Sequence, residues 1–219
     1  MTANPILKEL FLVNPDAQRR AKEFEYGAGQ ILSKTGEAIN SVIFPCSGLL
    51  ISNLNLTGGA SIEVGLYGYQ SVIGGSAAFG ATTHISSCTV HVAGSGWAVP
   101  SEVVAETSTR RPSMRSLLIR HEQFMLFQAQ QRAVCNASHS VDQRLATRLL
   151  RVRDVCGAAV LSLTQDQLAD WLGVQRASVS VAAAKLKEAN LISYMRGRIE
   201  ITNEAGLLTQ ACECCGALR

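Results

Sequence analysis

Across residues 26–104, short apolar and β-branched runs (SVIF, GLLIS, SIEVGLY, SCTVHVA, GWAV) alternate with glycine-bearing turns. Runs of this length, punctuated this regularly, predict short antiparallel strands closing into a sandwich or barrel. Gly58-Gly59 stands where a tight hairpin turn joins two such runs. Ahead of them, residues 4–25 read as mildly amphipathic helix. The pattern changes at Pro100. Residues 112–137 contain no glycine and set Met114, Leu117, Leu118, Phe124, Met125 and Val134 at helical spacing. A seam through Leu118, His121, Met125, Gln128, Arg132 and Cys135 advances in alternating steps of three and four, the spacing of a helix that pairs with a second copy. The same helix could instead pack against its own β-domain.

Ser140-Val141-Asp142-Gln143 has the form of a capping box, so another helix starts there. It directs Val141, Leu145, Leu149 and Leu150 to one side and Arg144, Arg148 and Arg151 to the other. Gly157 ends its periodicity, and residues 158–161 could form a short strand.

The most informative stretch is 163–201. Thr164-Gln165-Asp166-Gln167 repeats the capping-box form and begins a helix whose apolar face is Leu168, Ala169 and Leu172. Gly173 falls where a sharp turn needs positive φ. A second helix runs from about Gln175 to Ala189. At 100° per residue its packed face is Val179, Ala182, Ala183 and Leu186, which leaves Arg176, Ala177, Ser180, Val181 and Ala184 outward. Small apolar residues on an outer face suit close approach to a DNA groove and contact with thymine methyl groups. Arg176, in the first turn, suits bidentate contact with a guanine edge, alongside Ala177 and Val181 as base contacts. Gln175, Ser178 and Ser180 suit phosphate contact. Residues 191–201 then read as a hairpin turning at Gly197, with Tyr194, Arg196 and Arg198 beside the backbone as a wing. Helix, turn, helix and wing together are a device for laying one helix in the major groove.

Composition sets the compartment. The 219 residues are 47% hydrophobic and 17% charged, as in a globular protein, and no run reaches the roughly 20 apolar residues of a membrane span. The first twenty residues lack the basic region and apolar block of a signal peptide, so a cytoplasmic location with reduced thiols is expected for the seven cysteines. The net charge of +3 is unevenly spread. No Lys or Arg lies between Lys34 and Arg110, where Glu37, Glu63, Glu102 and Glu106 occur. From Arg110 onward fifteen basic and nine acidic residues give a net +6. A sensing or scaffold front half joined to a nucleic-acid-binding back half fits this asymmetry.

LTQDQLADWLGVQRASVS, NLISYMRGRIEI and the tail ACEC resemble the C-terminal half of Crp–Fnr-type bacterial transcription regulators. FPCSGLL, EVGLYGYQSVIGG and NASHSVDQRLATRLL are similar to that family's β-roll and linking helices. The resemblance spans nearly the whole chain. It implies an α+β architecture: an antiparallel β-roll of jelly-roll type resembling cyclic-nucleotide-binding domains (1–106), a dimerisation helix (107–139) and a winged helix-turn-helix (140–219). It also implies a homodimer on palindromic promoter sites in double-stranded DNA, with RNA polymerase as a further partner. Members that bind cyclic AMP carry a Gly-Glu for the ribose and an Arg-Ser pair for the cyclic phosphate. Here Gly75 stands at the Glu position and Ser86-Ser87 at the pair, a degenerate effector pocket. The absence of any cation in the β-region points the same way, since a buried phosphate needs a charged partner or a cradle of backbone N–H groups. No cysteine precedes Cys46, so the N-terminal iron–sulfur ligation of the family's oxygen sensors is not expected. The family's Glu after the recognition arginine, and its second arginine four further on, are Ala177 and Val181 here, so a different target sequence is expected.

Other chemistry reads more weakly. Cys212, Cys214 and Cys215 invite a metal, but zinc wants four ligands and no second CxxC or HxxxH supplies the rest, so no metal and no cofactor are assigned. A haem or redox-sensing member of the family would draw on His84, Cys88 and His91, yet His84 and His91 are seven apart and point to opposite faces of an unbroken strand. The rival class is a cupin-like metal-dependent β-barrel enzyme with an appended DNA-binding domain, for which two histidines and scattered glutamates are too few. No nucleophile–base constellation or phosphate loop appears, and no catalytic residue is assigned. A β-roll serving only protein interaction is a third possibility.

Overall fold

Two asparagines start the chain's first helices. The Asn4 side chain accepts from the N–H groups of Ile6 and Leu7 to cap α1 (Pro5–Val13), and Asn14 accepts from Asp16 and Ala17 to cap α2 (Pro15–Arg20). Proline at the first position of each costs nothing, because that N–H has no intrahelical partner. Helix then gives way to β1 (Lys22–Tyr26), whose aromatic residues Phe24 and Tyr26 pack into the β-domain. The helix expected over 4–25 therefore stops at Arg20. The computed structural model describes residues 4–58, 61–195 and 197–218, so Gly59 of the expected hairpin turn lies outside the described residues.

The chain divides into two compact units, Met1–Leu54 with Gly65–Phe127, and Asn55–Val64 with Gln128–Arg219. The first holds two antiparallel sheets. One is ordered β1–β7–β3, with β3 at Ser41–Pro45 and β7 at Gly94–Pro100. The other is ordered β2–β6–β4–β5, with β2 at Ile31–Ser33, β4 at Leu49–Asn55, β5 at Ser61–Tyr67 and β6 at Ser87–Val92. Pairing of Ile43 with Ala98 turns Val42 and Phe44 inward, as the alternation requires, whereas β4, paired with β6 through Leu50 and Val90, buries Leu49, Leu50, Ile51 and Ser52 in succession. α3 (Ser101–Arg110) and the start of α4 (Pro112–Ser138) close this core with Val103, Val104, Met114 and Leu118. Arg111 separates the two helices and Pro112 begins the second, so the expected dimerisation segment 107–139 contains the end of one helix and the whole of the next.

The second unit is built on α5 (Val141–Cys156). Its expected capping box is present: Ser140 accepts from the Gln143 N–H, and the Gln143 side chain accepts from the Ser140 N–H. Leu145, Leu149 and Leu150 are fully buried. The arginines do not all lie on a wet face as the periodicity predicts, since Arg148 and Arg151 are buried too. Glu63, from the β5 end that belongs to this unit, is the reason: its carboxylate ion-pairs with both Arg132 and Arg148. Arg151 donates to the Gln128 side chain at 2.9 Å. Burial, reinforced by the neighbouring Arg151, pulls the pKa of Arg148 down to about 9, and the Glu63 carboxylate opposes that loss of charge. Trp171 stacks on the Arg148 guanidinium at 5.5 Å.

Candidate nucleic-acid interface

β8 (Val160–Leu161) leads into α6 (Gln165–Leu172), which starts at Thr164 with both capping-box bonds formed. Gly173 takes φ +62 and lets the chain reverse. α7 (Arg176–Glu188) follows after Gln175. Its buried side is Val179, Ala182, Ala183 and Leu186, the face that the periodicity predicts. β9 (Ile192–Met195) and β10 (Arg198–Ile201) form the hairpin, with Gly197 at φ +71, and β8 pairs with the other side of β10. Isoleucines 192, 199 and 201 of this sheet are buried.

Two fastenings hold α7 in place, and a third ties α5 to α6. Ser180 donates to the Gln165 side chain at 2.7 Å, Lys185 reaches Asp142 on α5 at 2.6 Å, and Arg144 donates to the Leu172 carbonyl at the end of α6. Gln175, Arg176, Ala177 and Val181 remain exposed, and Val181 is 58% accessible. Ser178 and Ser180 are half-buried, and the Ser180 proton is committed to Gln165, so of the predicted phosphate donors Ser180 is instead a brace between the two helices. On the hairpin, Arg198 is exposed and Tyr194 half-buried, while Arg196 lies outside the described residues. Sequence reasoning misses one partner: the Asp166 carboxylate lies 3.4 Å from Arg176 Nε, and both side chains are about two-thirds exposed. In the sequence Asp166 is only part of a cap.

Residues 143–209 match the family model of the Crp-like helix-turn-helix domain. This segment is a Crp-like helix-turn-helix domain. The fold of nearly the whole chain is also that of Crp/Fnr regulators. FixK2 from Bradyrhizobium japonicum aligns with TM-score 0.77 at 18% identity, over 88% of this chain and 98% of its own. A CRP-family transcriptional regulator from Thermus thermophilus, TTHB099, aligns with TM-score 0.73 at 16% identity over 86% and 96%. The global regulator CLP of Xanthomonas campestris aligns with TM-score 0.71 at 14% identity over 89% and 97%. No curated protein matches by sequence.

The residues that the sequence resemblance sets at an effector pocket are Gly75, Ser86 and Ser87. Gly75 opens a short 3-10 helix, Gly75–Phe79, and is buried. A Cβ there would sit 2.8 Å from Glu122 Oε1, so α4 already supplies a carboxylate at this point. Ser86 bonds Ser52 at 2.5 Å, and Ser87 accepts from the Thr35 N–H at 3.1 Å. Both hydroxyls thus serve the sheet.

The predicted dimer seam faces inward. Leu118, His121, Gln128 and Cys135 are all buried within the chain, and Met125 lies against Gly65. His121 Nε2 accepts from the Val72 N–H at 3.0 Å. The alternating three-four spacing is real, but it describes how α4 covers its own units. The exposed apolar side chains of α4 are instead Ile119, Phe124, Leu126, Phe127 and Val134. Among the described residues no helix is long and apolar enough to cross a membrane. The one cluster of three or more metal-competent side chains among them joins Cys135 of α4 and His139, just past its end, to Cys212 and Cys214, and includes none of His84, Cys88 and His91.

Proposed function

We propose that this chain is a sequence-specific DNA-binding transcription regulator, acting in the cytoplasm as a homodimer on a palindromic promoter site. The exposed face of α7 carries the reading: Arg176 in the first turn, followed by Ala177, Val181 and Ala184, a surface with no use in a free protein and a good one in a major groove. Arg176 reads a guanine, Ala177 and Val181 meet thymine methyls, and Gln175, Ser178, Tyr194, Arg196 and Arg198 meet phosphates. The exposed apolar side of α4 is the pairing surface, with Ile119, Leu126 or Phe127, and Val134 recurring at seven or eight residues. Pairing sets two recognition helices about 34 Å apart on one DNA face, which makes the site a palindrome. RNA polymerase is the partner at such a promoter.

The β-roll acts without a cyclic nucleotide. Glu122 beside Gly75 sets a carboxylate against a cyclic phosphate there, no Lys or Arg lies between residues 34 and 110, and Arg115 of α4, the cation near this 3-10 helix, is stacked over Phe79. An enzymatic role in the β-roll is disfavoured because no group of three or more metal-competent side chains among the described residues includes His84 or His91. Selection of binding sites from random DNA by the purified protein, followed by footprinting, tests the reading. A palindrome protected on one face supports it, and equal binding to every sequence refutes it.

A further inference from the structure

Cys135 lies in the last turn of α4 and His139 directly follows the helix, its N–H still donating to the Cys135 carbonyl at 3.1 Å, so the two project from the same face on successive turns. The chain after α8 (Glu204–Gln210) brings Cys212 and Cys214 to that face, and Cys214 starts α9 (Cys214–Leu218). Cys135 Sγ lies 3.8 Å from Cys212 Sγ, and Cys214 Sγ lies 3.9 Å from His139 Nδ1. The four ligand atoms all fall within 4.8 Å of one another. A tetrahedral zinc with bonds near 2.3 Å to sulfur and 2.05 Å to nitrogen requires edges of about 3.8 Å between sulfurs and about 3.6 Å between sulfur and nitrogen. The cluster is therefore already close to the size of one ion's coordination shell, and too tight to enclose several irons.

We propose that Cys135, His139, Cys212 and Cys214 bind one zinc ion in a closed Cys3His site that fastens the C-terminal tail to α4. Three of the four groups are nearly inaccessible and His139 is half-buried, so no ligand position is left open for substrate, which makes the site structural. The surroundings fit a metal better than a packing of inert thiols. His139 Nε2, the nitrogen turned away from Cys214, faces the Glu213 carboxylate at 3.9 Å, the arrangement that orients a ligating imidazole. Thr147 Oγ1 lies 3.1 Å from Cys212 Sγ and accepts from the Cys212 N–H, so its proton is free to bond a thiolate. Three thiolates on Zn²⁺ leave one negative charge. A cavity of about 50 Å³ lined by Cys135 and Cys212 is also lined by Arg132 and Arg144, cations suited to balance it. Binding sends the three thiol protons to solvent, with no change of oxidation state. Cys215 is buried beside the cluster but is not one of its four ligands.

The test is metal analysis of the full chain, purified under reducing conditions without a metal-chelating tag. One zinc per chain is expected, retained in Cys215→Ser and lost in Cys214→Ser and in His139→Gln. Glu213→Gln keeps the zinc with affinity lowered about ten- to a hundredfold. Cobalt added to the zinc-free chain reads out the ligands even if the variants fail to fold, because tetrahedral thiolate sites give strong visible d–d bands and a sulfur-to-cobalt charge-transfer band. A chain that takes up neither ion stoichiometrically, or a cobalt spectrum without the sulfur band, overturns the proposal. So does zinc that survives intact in both ligand variants. These outcomes do not depend on whether the chain binds DNA.

Discussion

The Arg176–Asp166 pair allows the base-reading mechanism to be tested by opposite changes. Asp166 meets Nε, which leaves the two terminal amino groups of Arg176 free for the O6 and N7 of a guanine. The carboxylate then acts in two ways. It steadies the guanidinium, and it repels every phosphate nearby. An exposed ion pair is worth about 0.2–1 kcal/mol, whereas a good bidentate base contact is worth about 1–3 kcal/mol. Arg176→Ala should therefore lower affinity for the selected site about 5- to 140-fold, with a smaller loss on random DNA. Asp166→Asn should tighten binding to random DNA while reducing the ratio of specific to random affinity by no more than about fivefold. With Ala at position 176, the asparagine at 166 should leave that ratio unchanged, because the group it steadies is gone. Fluorescence anisotropy on both DNAs at one fixed salt concentration measures all four corners of the cycle. An unchanged ratio in Arg176→Ala, or a ratio that rises in Asp166→Asn, refutes the assignment of Arg176 as the base reader.

Three further outcomes follow from the geometry. Glu63→Gln leaves the buried Arg148 and the half-buried Arg132 without their anion, a loss of about 3–5 kcal/mol, and at about 2–4 °C per kcal/mol the thermal midpoint in calorimetry should fall by roughly 6–20 °C; a shift within a degree would mean that the Glu63–Arg148 pair is not buried in solution. Isothermal titration with cyclic AMP and cyclic GMP should give no heat of binding at micromolar concentrations, and saturable micromolar binding of either would contradict the reading of Gly75, Ser86 and Ser87. Phe127→Glu, on the exposed side of α4, should convert a dimer to a monomer in sedimentation with little change in circular dichroism, whereas Leu118→Glu should unfold the chain; a dimer that survives Phe127→Glu places the pairing elsewhere.

Local rules carry far in this chain. Both capping boxes, at Ser140 and Thr164, the positive φ of Gly173 and the inward face of α7 depend on contacts within a few residues, and all are legible from spacing. Facing on α4 is not. Its apolar residues surround the helix, with Leu118 buried and Phe127 exposed, so no single stripe stands out from the sequence. The seam through Leu118 and Cys135 is the one with regular spacing, and regular spacing is equally what a helix needs to cover its own domain. Arg148 departs from expectation for a related reason. Charge assigns arginine to water by default, and only a glutamate 85 positions earlier in the chain overrules that default.

The cysteines make the same point about distance along the chain. Three thiols at the C-terminus lack partners as long as the second pair is sought at a familiar spacing of cysteines or of histidines. The missing pair is one of each, Cys135 and His139, set by a helical turn and 73 residues ahead of the tail at its nearer member, His139 to Cys212. Cys135 does stand out in the sequence, but as part of the candidate pairing stripe. What draws it into that stripe, its regular place among buried positions on α4, is what turns it toward Cys212. A residue whose periodicity marks it as buried can face a second copy, an apolar core or a ligand cluster, and the pattern on its own helix cannot distinguish these. The choice is made by the element that packs against it, here a tail whose own sequence advertises the chemistry.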